Sequence, residues 1–413
     1  MPLTEWRSWA RSMKLAENVD GLLLDLDGTV WSGGKAIPSA VEAIQAAGVP
    51  AAYVTNNASR SAADVAEMLR AIGLPASEDD VLTSAMAAVR LAERYVSPGD
   101  SVYVVGAESL RALVVAAGFT LAGSADDNPK VVLHGHNPET GWRELSEAAL
   151  SLQRGAKYLA TNLDSSLPME RGLMVGNGAM VAAVTAATGV APEAAGKPEP
   201  AMFEQAAHDR GWVRPLAVGD RLDTDIAGGV AAGMPTLHVL TGVSGPYALI
   251  QAPPAHRPTY VGEDMRVLLQ TAEDLRPGAQ DGFRARIDGS ALVIDGGTSG
   301  ASGVGALRTA LEVAWQSDEA PADVASAADA ASATGANGVA VPLRRGLPRT
   351  PGGEPWPPVA TVEVAGLREP ELPASTIVPT EQAALTDVPV RRGLPRIPGG
   401  EPWPPAGTVR VAV

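Results

Sequence analysis

GLLLDLDGTVW occupies positions 21–31, an apolar run that ends in two acids and a turn. Gly21–Leu24 is a short, wholly apolar run, the composition of a strand buried on both faces. Asp25 and Asp27 follow directly, then Gly28-Thr29, where Gly28 allows a turn and the Thr29 hydroxyl can hydrogen-bond locally. Residues i and i+2 of a strand face the same side, so both carboxylates can address one pocket at the strand's carboxyl end. Two acids so close repel and call for a cation or a shared proton. An oxygen-ligated divalent ion suits them, and magnesium takes carboxylates together with phosphate oxygens. Taken alone, the stretch is equally an acidic turn after a buried strand.

Around this stretch, apolar runs alternate with alanine-rich helical segments from 20 to about 270. The expected strands are Gly21–Leu24, Pro50–Val54, Ser101–Val105, Lys130–Leu133, Tyr158–Ala160, Leu216–Val218 and Thr236–Val239. That alternation predicts a parallel sheet with helices on both faces, with ligands at the carboxyl ends of strands. Three more polar groups lie at such ends or in nearby turns. YVTNN (53–57) offers Thr55, Asn56 and Asn57, donors suited to an anion or to capping the next helix. GKPEP (196–200) holds Lys197, fit to neutralise phosphate or to sit solvated in a loop. VGDRLDTDI (218–226) supplies Asp220, Asp223 and Asp225, an acid cluster or an ordinary acidic helix start.

The ordered set resembles the haloacid dehalogenase superfamily. Asp25-Leu26-Asp27-Gly28-Thr29 matches its nucleophile motif, Thr55 the second motif, Lys197 the third, and Gly219-Asp220 with Asp225 the fourth. About 140 residues separate Thr55 from Lys197, too many for a simple crossover. In this superfamily such an insert is a C2 cap. ATNLD (160–164), GNGAMV (176–181), AGKPEP (195–200) and GDRLDTDIAGG (219–229) look like the class IIA phosphatases, the branch of 4-nitrophenyl phosphatase and NagD.

The resemblance implies an α/β fold. It has a Rossmann-like parallel-sheet core (1–84 and 193–270), an inserted α/β C2 cap (85–192), a small α/β segment (271–316) and a proline-rich, largely disordered tail (317–413). It also implies a phosphatase. Asp25 would attack phosphorus and Asp27 would act as acid and base, with Mg²⁺ held by Asp25, the Asp27 backbone carbonyl and Asp220. Thr55, Asn56 and Lys197 would bind the phosphoryl oxygens, and Asp225 would orient Lys197 or a metal-bound water. His136 and Leu167 fall where related enzymes contact substrate. Leu167 departs from the histidine usual near that point in pyridoxal phosphatases. PMERGLMVGNGAMV (168–181) resembles actinobacterial glycerol 3-phosphate phosphatases, which makes glycerol 3-phosphate the leading substrate, ahead of phosphoglycolate and nucleoside monophosphates. Related enzymes also dimerise through the cap, so a homo-oligomer is an open expectation.

Composition bounds the rest. A formal charge of −15 argues against a broad nucleic-acid surface, which needs clustered Lys and Arg. The chain has no cysteine, so disulfides and thiolate metal sites are excluded. No apolar run reaches the roughly 18 residues of a membrane span, and no secretory pattern stands at the start, so the expected location is the cytoplasm. In the tail, PLRRGLPRTPGGEPWPP (342–358) recurs as PVRRGLPRIPGGEPWPP (389–405), offset by 47 residues. Its proline content favours polyproline II or disorder. Two such motifs suit bivalent binding to a protein partner, and the rival reading of the whole chain is a scaffold acting through them.

Overall fold

The computed structural model describes residues 13–169, 172–288 and 291–316, together with the backbone of four strands between 338 and 412. In chain order, β1 (Gly21–Leu24), β2 (Ala51–Thr55) and β3 (Val81–Thr83) precede the insert. Within it run β4 (Ser101–Val105), β5 (Thr120–Leu121), β6 (Val131–His134), β7 (Lys157–Ala160) and β8 (Glu193–Ala194). After it come β9 (Pro215–Gly219), β10 (Thr236–Val239) and β11 (Tyr260–Gly262).

Six of these form the core sheet in the order β11-β10-β9-β1-β2-β3, every pair parallel. The apolar run is thus a central strand: Leu22, Leu23 and Leu24 are fully buried, with Leu22 opposite Leu216 on one side and Ala51 on the other. Strand order reverses around β1, the place where open parallel sheets leave a crevice at their carboxyl ends. The neighbours of β1 are the strands that end in Thr55 and in Gly219-Asp220, so three of the four polar groups found in the sequence arrive side by side.

The insert builds a second parallel sheet, β8-β7-β6-β4-β5, with a cap hairpin of Ser166–Met169 and Gly172–Val175 at its side. This sheet runs through Glu193–Ala194, two residues past the boundary expected at 192. Among the described residues, no helix is long and apolar enough to cross a membrane.

Beyond 270 the chain folds back onto the core. A hairpin of Phe283–Asp288 and Ala291–Gly296 leads into the helix Gly303–Gln316. Leu307 and Leu311 of that helix are fully buried and share a cluster with Leu222, Ile226, Leu249 and Val261. Buried Arg308 donates to the carbonyls of Val261 and Asp274 and to Gln280 Oε1, which satisfies a guanidinium that burial would otherwise penalise. The expected disorder of the repeats falls mainly on 345–357 and 391–406, outside the described residues. Each of these stretches lies between two antiparallel strands: Gly338–Arg344 with Pro358–Ala365, and Leu385–Val390 with Gly407–Ala412. Gly338 faces Ala365 and Leu385 faces Ala412, the same pairing moved by the repeat offset.

Candidate active site

Asp25 is the first residue beyond β1, and its N–H donates to the Val218 carbonyl at 2.9 Å, which fixes it beside β9. The chain then turns at Gly28, whose φ of 95° lies where only glycine is comfortable. A Cβ at Gly28 would stand 2.5 Å from Asp220 Oδ2, so the turn and the acid at the end of β9 share one space. Asp220 is fully buried. Its Oδ2 accepts from Val243 N–H at 2.6 Å, and its Oδ1 lies 3.5 Å from the Thr29 hydroxyl. The Thr241 hydroxyl ties the same loop to the Gly28 carbonyl at 2.6 Å. Asp225 comes from a π-helical turn, Leu222–Ile226, a distortion frequent at functional sites.

Lys197 closes the group from the segment that returns from the insert. Its Nζ sits 2.6 Å from Asp25 Oδ1, 2.7 Å from Asp225 Oδ1 and 2.9 Å from the Val54 carbonyl. All three ammonium donors are therefore spent, on a side chain only 2% exposed. Burial works against this ammonium, but Asp225 and Asp25 outweigh it and hold its pKa above the ordinary lysine value.

Asp25, Asp220 and Asp225 bring carboxylate oxygens within 4.8 Å of one another. Three buried acids against one ammonium leave excess negative charge, and the donors are all oxygen. This set fits a hard divalent cation, which favours carboxylate ligands. Burial, with Asp225 next, raises the Asp25 carboxyl well above its usual range and takes Asp220 to about 7. A bound cation would reverse that tendency by favouring the ionised acids. Asp27 does not join the three-acid group. Its carboxyl is exposed, yet the surrounding protein desolvates it enough to raise its pKa, and the Trp31 indole donates to Oδ1 at 2.9 Å.

The remaining expected residues fall near this centre in different ways. Buried Thr55 ends β2 and its hydroxyl accepts from Asn57 N–H at 3.1 Å. Asn56 differs from the expectation of a direct phosphate donor. Its Oδ1 accepts from Lys197 N–H at 2.8 Å, and its Nδ2 donates to the Lys197 carbonyl and to Asp164 Oδ2, both at 3.0 Å. Both amide hydrogens are committed, so the side chain clamps the backbone that carries Lys197. His136 lies against the Val175 backbone of the cap hairpin that also holds Leu167, and burial lowers its pKa.

Three residues that sequence reasoning quoted without a role link cap to core. Asp164 receives Asn56 on one oxygen and Arg221 Nη1 on the other at 3.2 Å. Arg221 is held in turn by Asp223 at 2.7 Å. Asn162 of the cap donates to the Asn56 carbonyl at 2.7 Å. Polar residues in ATNLD and GDRL were visible, but no periodicity says that they meet across two sheets.

Known proteins resemble this chain in sequence and in fold. Residues 22–120 match the model of haloacid dehalogenase-like hydrolases, and residues 194–268 match a second model of hydrolases of that type. The chain is 44% identical over 280 residues to D-glycerol 3-phosphate phosphatase of Mycobacterium tuberculosis, covering 68% of this chain and 79% of that protein. It is 38% identical to an acid sugar phosphatase of Staphylococcus aureus, over 54% of this chain and 86% of that one. Among solved structures, a glycerol phosphate phosphatase from Mycobacterium tuberculosis in complex with magnesium superposes with a TM-score of 0.71 at 41% identity, covering 74% of this chain and 94% of its own. A p-nitrophenyl phosphatase from Archaeoglobus fulgidus gives 0.56 at 30% identity, over 61% and 98%. The chain therefore belongs to the haloacid dehalogenase-like hydrolases, and within them to the phosphatases.

Proposed function

We propose that this protein is a Mg²⁺-dependent phosphomonoester hydrolase that works through an aspartyl-phosphate on Asp25, with glycerol 3-phosphate as its foremost substrate. The observation that carries the mechanism is Lys197 Nζ, 2.6 Å from Asp25 Oδ1 and 2.7 Å from Asp225 Oδ1, beside the buried Asp220. A carboxylate held against an ammonium and next to further acids is poised to face an anion once a cation joins it. Asp25, Asp220 and the Asp27 backbone carbonyl would hold Mg²⁺, which when bound offsets the charge between nucleophile and phosphate.

Asp25 attacks phosphorus, and the covalent route divides one difficult step into two. Asp27 gives its proton to the leaving alkoxide and later takes one from the attacking water. Thr55 holds a phosphoryl oxygen, and Lys197, its three donors committed, supplies the fixed positive charge beside it that matters most in a loose transition state. Asn56 serves this by locking the Lys197 backbone, and Asp225 by holding its ammonium. The cap covers the site from above and excludes water, with Asp164, Asn162 and Arg221 as its ties to the core. His136 and the hairpin bearing Leu167 face the leaving group.

The similarity to a protein named D-glycerol 3-phosphate phosphatase supports the substrate. A panel of phosphomonoesters tests it. Glycerol 3-phosphate should give the highest kcat/KM, above phosphoglycolate and nucleoside monophosphates. A higher value for either of the others would replace it as the substrate while leaving the chemistry in place.

A further inference from the structure

Trp31 stands four residues after Asp27, and the chain doubles back between them. Gly28 N–H donates to the Trp31 carbonyl at 2.8 Å, and Trp31 N–H donates to the Leu26 carbonyl at 3.0 Å. This closed turn sets the indole beside the acid, with Nε1–H donating to Asp27 Oδ1 at 2.9 Å. Trp31 is 2% exposed and belongs to the main core cluster with Leu24, Leu26, Val30 and Ile37. In an interior packed this tightly the ring cannot swing away without opening a void. The Asp27 carboxyl is anchored at one oxygen to a rigid wall while the rest of it meets solvent.

An indole N–H is a donor only. It can bond an ionised carboxylate oxygen or the carbonyl oxygen of the neutral acid, but not an oxygen whose own proton points at it. The two oxygens of Asp27 are therefore unequal in both protonation states. We infer that Trp31 is a positioning residue that makes Oδ1 of Asp27 a permanent acceptor and leaves Oδ2 as the oxygen that gives and takes the proton. This rests on the reaction proposed above and deepens it.

In the first half-reaction an Asp25 oxygen bonds to phosphorus and the bond from phosphorus to the leaving oxygen breaks. Its electron pair stays on the leaving oxygen, which receives the proton from Asp27 Oδ2. In the second half a water oxygen bonds to phosphorus and the Asp25–phosphorus bond breaks. That pair returns to the Asp25 carboxylate, and the water proton goes to Oδ2. The Trp31 N–H stays on Oδ1 throughout. Without it the carboxyl can rotate about its last bond and present either oxygen in either state. A proton donor that is only sometimes aimed at the leaving oxygen loses rate in proportion.

Leaving groups of different basicity separate this role from mere support of the fold. Departure of an alkoxide needs the proton from Asp27, whereas 4-nitrophenolate leaves as a stable anion. The ratio kcat/KM reports steps up to formation of the phosphoenzyme, before the water step that both esters share. Trp31→Phe removes the donor and keeps a ring. It should lower kcat/KM for glycerol 3-phosphate by about 10-fold or more, within the roughly 10²–10⁴ that a general acid contributes. For 4-nitrophenyl phosphate the fall should stay under about 3-fold, since little protonation is needed. Should Trp31→Phe fail to fold, benzothienyl-alanine installed at position 31 keeps the ring volume with sulfur in place of N–H, and the same split is expected. Equal losses on both esters, or no loss on either, would overturn the assignment while the phosphatase reading stands. A wild-type protein inactive on both esters would overturn the two together.

Discussion

Lys197 must stay charged where it sits, because two buried carboxylates would otherwise face each other at short range. Lys197→Met removes the bridge between Asp25 and Asp225. Breaking a buried pair costs about 3–5 kcal/mol, so the melting temperature should fall. Loss of a fixed charge at the developing anion should cut phosphate release by about 10²–10³-fold. Calorimetry and a phosphate assay check both, and a variant with ordinary stability and turnover would contradict the role. Asp220 makes a second prediction through pH. Its folded carboxyl is raised from 3.8 to about 7, mainly by burial. The stability this neutral acid contributes is fully present below its unfolded value and is lost as pH rises through about 7. Mg²⁺ binds the ionised acid, so the metal-induced rise in melting temperature should be larger at pH 8 than at pH 5, and should shrink in Asp220→Asn. A metal effect that does not grow with pH would contradict it. At this scale Asp25, Lys197, Asp220 and Asp225 were legible as types at strand ends. Asn56 was legible as a donor but not as the clamp on Lys197, and Asp164 had no role, because a sequence shows that an amide can donate but not which partner claims it.

At the scale of elements, the site depends on short turns whose shape leaves no spare room. Gly28 has a φ of 95° and lies against Asp220. Gly28→Ala brings a left-handed conformation costing about 1–2 kcal/mol and a methyl pressed on the Asp220 carboxylate. Lower thermal stability with at least about a 10-fold loss of activity is expected, as small misplacements in a reacting site cost rate steeply. Wild-type activity in this variant would show that Asp220 has more freedom than the packing allows. The central strands were readable because full burial makes them continuous apolar runs. The edge strands Val81–Thr83 and Tyr260–Gly262 escaped, each only three residues long with too little periodicity to register. The cap hairpin escaped because Pro168 and the polar residues around it look like a loop, although Pro168 sits within one of its strands.

At the scale of the whole molecule, the helix Gly303–Gln316 reaches back to the chemistry. Leu307 and Leu311 pack on Leu222 and Ile226, the two ends of the turn that carries Asp225. A chain ending at 316 should keep kcat/KM within about 2-fold, since it retains every contact that orients Lys197. A chain ending at 280 loses those leucines and the Arg308 bonds, each buried leucine being worth about 2–5 kcal/mol on truncation. Urea melts and phosphate release should show a destabilised and weakened enzyme. Full activity in the shorter chain would remove the helix from the account. The core-and-insert plan was readable from the long gap between Thr55 and Lys197, but this packing was not. Arg308 looks like a surface charge until the carbonyls it serves are seen. The tail repeats are a separate proposal: paired RRGLPR-PGGEPWPP motifs bind one partner bivalently, so deleting 317–413 changes location or assembly and leaves turnover alone.

Everything proposed for the reaction depends on Asp25 acting as the nucleophile of a Mg²⁺-assisted phosphatase. The deciding assay is phosphate release from glycerol 3-phosphate and 4-nitrophenyl phosphate, with Mg²⁺ and with chelator, for wild type beside Asp25→Asn. Release that requires Mg²⁺ and vanishes in Asp25→Asn is the predicted result. Release that persists in folded Asp25→Asn, or that is untouched by chelator, would contradict it.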